Sequence, residues 1–469
     1  MLMEKGTIID SLEITDISSE GKGVGRVEGQ VVFIKETVPG DVVKVKIVGK
    51  RKRFLEGITE KIIEASPDRV EPFCEHFGLC GGCKWQHMNY DAQLRHKQAY
   101  VEENLRKLSG LKLPIAAPIL ESKKTTFYRN KLEYTFSNFR WLTREEIDSD
   151  TRLIHSGLGF HITGRFDKML NINKCWLQRD PSNEIRLAVK GFADKHCIPY
   201  FDLRKQEGFL RNLIIRTAST GDVMVILQVA YRNQEWLALI LNFIKEKFSS
   251  ITSLHYVVNG KGNDSFHDLD VRLFSGKDHI MEEMGDLKFR IGPKSFYQTN
   301  AEQAYELYKI VAEYAGLTGE ELVYDLYTGA GTIANFVAGN AKKIIGIEYA
   351  AAAIEDAKLN SKINGITNTD FFAGDMKKIL VDDFISRHGK PDVIITDPPR
   401  AGMHPEVTRL LADLKVSRIV YLGCNPATQA RDLKVLGRSY EVIKIQPIDM
   451  FPQTRHVECV VLLQLCNSK

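Results

Sequence analysis

A carboxylate, a thiol and a second carboxylate recur near the C-terminal end of the chain, two of them just after short apolar runs. Asp397-Pro398-Pro399-Arg400 follows Val393-Ile394-Ile395, Cys424-Asn425-Pro426 follows Ile419-Val420-Tyr421-Leu422, and Glu458 closes Phe451-Pro452-Gln453-Thr454-Arg455-His456-Val457-Glu458. In an open parallel sheet the loops beyond the carboxyl ends of the strands line the ligand crevice, so the three motifs are expected to converge there. A cysteine ending an apolar strand is most often a small buried hydrophobe. A Pro pair can simply end a strand, because Pro has no N–H to continue a ladder. Three such motifs on successive strand ends predict covalent chemistry instead.

A second constellation lies far upstream. Cys74-x5-Cys80-Gly81-Gly82-Cys83 gathers three of the eight cysteines, while Cys175, Cys197, Cys424, Cys459 and Cys466 are scattered. Three thiols this close predict a metal or a cluster whose remaining ligand comes from elsewhere, and Gly81-Gly82 lets the backbone wrap tightly around it. Four thiolates suit an iron–sulfur cluster, whereas zinc accepts three with a histidine such as His76 or His87. Spacing alone leaves the two open.

The elements that must carry these groups read as three segments. Residues 1–65 show five short strands (Gly6–Asp16, Gly23–Val27, Gln30–Lys35, Asp41–Val48, Phe54–Glu64) with no helix between them, which suits a small closed barrel of the OB type. The basic run Lys50-Arg51-Lys52-Arg53 on such a barrel favours RNA. Residues 66–290 hold the cysteine cluster and a helix from Tyr90 to Leu108, with Asn89 as N-cap, Gly110 as stop and an apolar stripe of Leu94, Val101, Leu105 and Leu108. Beyond it lies a mixed α+β platform on which turn signals such as Thr220-Gly221-Asp222 imply antiparallel neighbours, and Arg129 and Lys131 on its first strand are expected to face RNA. Residues 291–469 alternate strand and helix, and Asn300-Ala301-Glu302-Gln303 has the spacing of a capping box.

Leu322-Val323-Tyr324-Asp325-Leu326-Tyr327-Thr328-Gly329-Ala330-Gly331 is a strand running into a glycine-bearing turn, and the next strand ends in Glu348. A Gly-x-Gly turn alone is weak evidence for any nucleotide. An acid ending the following strand is placed to bind a ribose diol, and the third glycine of a dinucleotide fingerprint is missing. An adenosine ligand without phosphates follows, with S-adenosylmethionine the obvious candidate and Ala373-Gly374-Asp375 suited to its adenine. A methyl donor beside a nucleophilic Cys424 predicts methylation of a poorly nucleophilic carbon such as C5 of uracil. Addition of the thiol to C6 activates C5, and Glu458 is the expected base for the C5 proton.

These residues resemble the RNA 5-methyluridine methyltransferase family, in particular its RlmD-like branch, which joins a TRAM barrel and a [4Fe-4S] cluster to a Rossmann-like class I methyltransferase domain. The likeness rests on Cys74-x5-Cys80-x2-Cys83, Ser295-Phe296-Tyr297-Gln298-Thr299-Asn300, the Asp325 to Gly331 turn, Asp397-Pro398-Pro399-Arg400, Cys424-Asn425-Pro426 and His456-Val457-Glu458. It implies that Cys175 is the remote fourth cluster ligand. It also implies that Gln298, Tyr327, Glu348 and Asp397 hold the donor with Asp375 nearby, and that Cys424 and Glu458 take the roles given above. Gly423 stands where relatives carry Ser or Ala. The branch implies ribosomal RNA of the 23S type, with transfer RNA as the alternative, and a uracil splayed out of folded RNA to reach the thiol. An RNA-folding factor without catalysis, or an amino-group methyltransferase using Asp-Pro-Pro-Arg, would leave Cys424 and Glu458 idle.

Composition agrees with this reading. Hydrophobic residues at 43% and charged residues at 26% of 469 are those of a globular protein of more than one domain. A net charge of +4 permits a nucleic-acid partner without demanding one. No apolar run approaches the roughly 18 residues of a membrane helix, and the start lacks the apolar region of a signal peptide, so a cytoplasmic protein is expected. Nothing in the sequence demands a protein partner.

Overall fold

The computed structural model describes residues 4–148 and 155–466. At the N-terminus, Ile8–Glu13 pairs with Val42–Lys50, which pairs with Phe54–Glu64; this strand runs parallel to Gln30–Ile34, which pairs with Gly23–Val27. The first strand bends at Ile14-Thr15 and resumes as Asp16–Ile17 against Gly23–Val27, which closes a five-stranded barrel. Alternation places Val43, Val45 and Ile47 inside, all fully buried. The Val27–Gln30 hairpin turns through Glu28 and Gly29 at φ +46° and +80°, the two left-handed residues of a type I′ turn. Lys50, Arg51, Lys52 and Arg53 are exposed at the tip of the long hairpin.

The platform is a seven-stranded sheet in the order Val271–Gly276, Ser253–Val258, Val223–Val229, Leu210–Thr217, Lys131–Ser137, Gly157–Ile162, Arg165–Asn171. The expectation of antiparallel neighbours fails at one place. Val223–Val229 and Ser253–Val258 are parallel, because the helix Gln234–Lys247 lies between them and returns the chain to the same end of the sheet. Among the described residues, no helix is long and apolar enough to cross a membrane.

The last segment is a second seven-stranded sheet whose strands we label in chain order: β1 Leu322–Leu326, β2 Lys343–Glu348, β3 Thr369–Ala373, β4 Val393–Thr396, β5 Arg418–Gly423, β6 Tyr440–Ile448 and β7 Glu458–Leu465. They lie in the order β3-β2-β1-β4-β5-β7-β6, with β1 to β5 parallel and β7 antiparallel to both its neighbours. Asn300 caps the helix Ala301–Ala315 by accepting from the Gln303 N–H. The expected box is only half made, since the Gln303 amide donates to Glu121 O at 3.0 Å.

The helix Tyr90–Ser109 is capped by Asn89 and stopped by Gly110 at φ +67°, as its sequence predicts. It packs on the methyltransferase-type sheet and its helix Pro426–Leu436, with Val101 and Leu105 joining Tyr324, Ile394, Tyr421 and Leu433 in one core. Its buried face differs from the expected stripe. Gln93, Lys97, Val101, Leu105 and Ser109 are buried at intervals of one turn, whereas Leu108 is 48% exposed. Two polar members tolerate burial because they are bonded: Lys97 Nζ meets Asp449 Oδ1 at 2.6 Å with both side chains fully buried, and Gln93 pairs with Gln453. Lys97→Met strands the Asp449 carboxylate in this dry site and is expected to destabilise the protein by about 3–5 kcal/mol. Urea denaturation reads the loss as a lowered midpoint, and Asp449→Leu added to Lys97→Met should recover most of it.

Candidate active site

The strands are buried along their length, and exposure begins where they end. Val393 to Thr396 are all buried and Asp397 is the first half-buried residue; on β5 exposure likewise begins at Cys424. Cys424 precedes the helix Pro426–Leu436, which starts there because Asn425 accepts from the Ala427 N–H and Pro426 occupies the first helical position. Glu458 opens β7. Because β7 runs antiparallel to β5, with Gly423 opposite Cys459, the next step of the ladder sets Cys424 against Glu458 at the edge where β4 delivers Asp397.

Bonds behind the edge hold these groups. The Gln429 amide donates to Tyr421 O at 3.2 Å and to Cys459 O at 3.0 Å, tying β5 to β7. A Cβ on Gly423 would lie 2.8 Å from the Gln429 side chain, so glycine at this position makes room for that tie. Asn425 and Thr428 donate to Arg400 O at 3.3 and 3.2 Å, joining the cysteine motif to the Asp-Pro-Pro-Arg loop. Asp432 accepts from Met403 N and from the Tyr421 hydroxyl, both at 2.8 Å, and fixes the far end of that loop.

The site is electrostatically tense. Burial pushes the Cys424 thiol up to about 12; Glu458 and Asp397 push the same way, and Arg400 opposes them. Burial raises Glu458 well above the carboxylate range, Asp397 adds to this, and Arg400 again opposes. Burial holds Asp397 at about 7. It also raises Asp325, behind the glycine turn, to about 7 against the Thr328 hydroxyl bonded to it. Burial, followed by Arg400, lowers His456 to about 4.

The adjoining strand ends form a polar cradle. Glu348 ends β2 and accepts from Gly329 N at 3.3 Å and Ala350 N at 3.0 Å, which turns it toward the glycine turn after β1. Asp375 follows β3 and accepts from Lys377 N. Tyr327 has φ +62°, a left-handed conformation rare for an aromatic residue and often found at functional sites. A side chain on Gly331, itself left-handed, would run into Ala357. Gln298 comes from the segment before the helix Ala301–Ala315, where Asn130 binds its carbonyl at 3.0 Å; the described bonds do not join its side chain to the other site residues.

Cys74, Cys80, Cys83 and Cys175 line one cavity of about 350 Å³, although Cys175 is remote in sequence. Cys175 is locked by Asn183, which accepts from its N–H at 2.8 Å and donates to its carbonyl. Gly81 N donates to His161 O, and a Cβ there would lie 2.7 Å from that oxygen, so glycine is required. His87 is bonded to Thr37 O and stands outside the cavity; His76 lines it, but its Nε2 accepts from Asn173 N. Among the described residues no three His, Cys, Asp or Glu side chains are close enough to hold a single metal ion. A lone zinc needs its thiolates drawn together around one atom, whereas a cluster puts an iron in front of each thiolate. The four-thiol donor set therefore fits a cluster better than zinc.

The family model for tRNA (uracil-5-)-methyltransferase matches residues 270–466, and that for the TRAM domain matches residues 9–59. An "Uncharacterized RNA methyltransferase" of Bacteroides thetaiotaomicron is 56% identical over 96% of this chain and 100% of its own length. One of Porphyromonas gingivalis is 52% identical over 96% and 99%. The chain belongs to the RNA (uracil-5-)-methyltransferase family. Like that family it is an S-adenosylmethionine-dependent enzyme with a class I methyltransferase fold. Among solved structures, the Pyrococcus abyssi tRNA (uracil-54, C5)-methyltransferase in complex with S-adenosyl-L-homocysteine superposes with a TM-score of 0.75 at 29% identity, over 97% of this chain and 100% of that one.

The motifs that sequence singled out at Asp397, Cys424 and Glu458 meet at one edge, and Tyr327, Glu348 and Asp375 line the strand ends beside them. Sequence reasoning missed Gln429, Asp432, Gln93, Lys97 and Asp449. Each acts through a bond to a residue distant in the chain, and none stands in a motif. A pH dependence follows for this methyltransferase without its substrates. Alkylation of Cys424 by iodoacetamide should keep rising with pH beyond the ordinary thiol value of about 8.5. Asp397→Asn removes a carboxylate that is ionised above about 7 and so should lower the thiol's pKa and speed alkylation at pH 8. Mass spectrometry of the Cys424 peptide against pH checks both.

Proposed function

We propose that this enzyme methylates C5 of a uridine in structured RNA through a covalent bond between Cys424 and C6. The observation that carries this reading is the antiparallel ladder that brings Cys424 and Glu458 to neighbouring positions beside Asp397. Gln298, Tyr327, Glu348, Asp375 and Asp397 are the proposed donor contacts. The thiol of Cys424 loses its proton and adds to C6, and the electron pair of the C5–C6 bond moves toward O4 as an enolate. C5 then takes the methyl group from the sulfonium, releasing S-adenosylhomocysteine. The Glu458 carboxylate takes the C5 proton, the C6–S bond breaks, and the double bond and thiolate re-form. A carboxylate held above its ordinary range is, once ionised, a stronger base than one in water, which suits a carbon acid.

Ribosomal RNA of the 23S type is the substrate we favour, supported by the TRAM barrel, its exposed basic tip and the four-cysteine cavity on one chain. The likeness to the Pyrococcus abyssi enzyme favours a second reading, the same chemistry on transfer RNA. Cys74, Cys80, Cys83 and Cys175 would hold a [4Fe-4S] cluster that braces the fold and takes no part in methyl transfer. A cytoplasmic location accords with an RNA substrate and reduced thiols.

Total RNA containing 5-fluorouridine tests the chemistry, because fluorine does not leave as a proton. A denaturation-resistant protein–RNA adduct should form, vanish in Cys424→Ala, and carry the target sequence; absence of any adduct with donor-bound protein would refute covalent methylation. On ordinary RNA, Glu458→Gln should accumulate a methylated adduct that is slow to release. For the cluster, anaerobically purified protein should be brown with a band at about 400 nm from thiolate-to-iron charge transfer, and colourless protein with stoichiometric zinc would rule it out.

A further inference from the structure

The chain between β6 and β7 is held carbonyl by carbonyl. Met450 O accepts from the Asn300 side chain at 3.0 Å, Phe451 O from Lys97 Nζ at 3.1 Å, and Pro452 O from the Tyr128 hydroxyl at 2.9 Å. Gln453 O accepts from the backbone amides of both Lys84 and Trp85, at 2.8 and 3.1 Å. These partners come from several separate parts of the chain, and the loop they grip ends on Glu458, whose own register is set by Ile448 across the ladder.

The centre of the grip is a reciprocal amide pair. Gln93 Nε2 donates to Gln453 Oε1 at 3.0 Å, while Gln93 Oε1 accepts from Gln453 N at 2.9 Å. Gln93 Nε2 also bonds Trp85 O and Met88 O, so its own orientation is fixed. Gln453 has φ +67°, a strained conformation for a residue with a side chain, which persists only where its surroundings over-determine it. One turn further along the same helix face, Lys97 binds Asp449, whose second oxygen accepts from the Tyr90 hydroxyl at 3.0 Å. The grip thus spans the loop from its first residue to its left-handed centre, and its bonds are buried.

We propose that Gln93, with Tyr90 and Lys97 beside it, is a positioning residue for the proton-removal step: the helix Tyr90–Ser109 clamps the Asp449–Val457 loop and so sets where the Glu458 carboxylate stands. This rests on Glu458 being the base. Nucleophilic attack and methyl transfer depend on Cys424, which β5 and its helix hold independently of the clamp. Loosening the clamp therefore slows release of the methylated adduct and leaves its formation intact.

The test separates the two steps. Gln93→Met keeps the length of the side chain and removes its hydrogen bonds; Tyr90→Phe removes one bond to Asp449 and serves where Gln93→Met fails to fold. With 5-fluorouridine-containing total RNA, which stops before proton removal, both variants should form the adduct at the parent rate. With ordinary total RNA and S-adenosylmethionine carrying a labelled methyl group, Gln93→Met should release label into free RNA more slowly by about 10²-fold, the usual effect of misplacing a reacting group by an ångström. Label should accumulate on the protein, with a smaller effect of the same sense in Tyr90→Phe. Equal slowing of both steps, or release at the parent rate, would overturn the clamp. If the parent forms no adduct, or Glu458→Gln releases product at the parent rate, the base assignment itself falls and the clamp falls with it.

Discussion

The antiparallel run of β7 is the constraint on which the rest of the site depends. Parallel strands deliver their last residues to one edge of a sheet, so β1 to β5 bring Tyr327, Glu348, Asp375, Asp397 and Cys424 there in turn. A further parallel strand would have brought its last residue too. Because β7 is inserted between β5 and β6 in the opposite sense, its first residue arrives instead, with the whole β6–β7 loop hanging over the edge beside it. The thiol and the carboxylate thus become neighbours although they lie on different strands. The Gln429 amide, bonded to both strands one step behind them, prevents the ladder from slipping.

That placement has an electrostatic consequence. Asp325, Asp397 and Glu458 are gathered in a dry place with Cys424, and each group's charge opposes its neighbours' ionisation. Arg400 is the cation that relieves part of this, and its carbonyl is tied to the helix after Cys424. A positively charged ligand among these carboxyls favours their ionised forms. A sulfonium donor meets this demand, whereas its product has lost that charge. The same buried acids that disfavour a thiolate in the empty site therefore distinguish donor from product.

Much of the fold was legible because it is written in local signals. The Gly29 hairpin, the Asn89 and Gly110 caps and the apolar strands before Asp397 and Cys424 each depend on a few adjacent residues. What escaped depends on partners far away. Lys97 and Lys107 share one helix, yet Lys107 forms a solvent-exposed pair with Glu103 and Lys97 is fully buried against Asp449. Nothing near either lysine distinguishes them. The stripe built on Leu108 failed for the same reason: hydrophobic periodicity counts Gln93 and Lys97 as polar, and only the loop before Glu458 makes them core residues. The parallel pair in the platform was hidden because a turn signal describes the strands it joins and says nothing of a strand reached through a helix.

The cysteines stand far from Glu458 in sequence, but only a short stretch of backbone separates them from its loop in space. Lys84 and Trp85 follow Cys83 directly, and their amides hold the carbonyl of Gln453. On the other side, Arg129 lines the cysteine cavity and lies over the Phe451 ring at 5.2 Å, and Tyr128 beside it holds Pro452 O. Whatever binds the four thiols fixes Cys83, and through it the two amides on Gln453. A rigid group in the cavity thus acts on the loop by geometry alone, with no electron transfer required. Its loss would free the Cys74–Cys83 segment, whose remaining tethers include the Cys80–Ile162 bridge and the Gly81 bond to His161. The strained backbone of Gln453 would then be held from the helix side only, so the cysteine site and the helix Tyr90–Ser109 act as two jaws on the same residue.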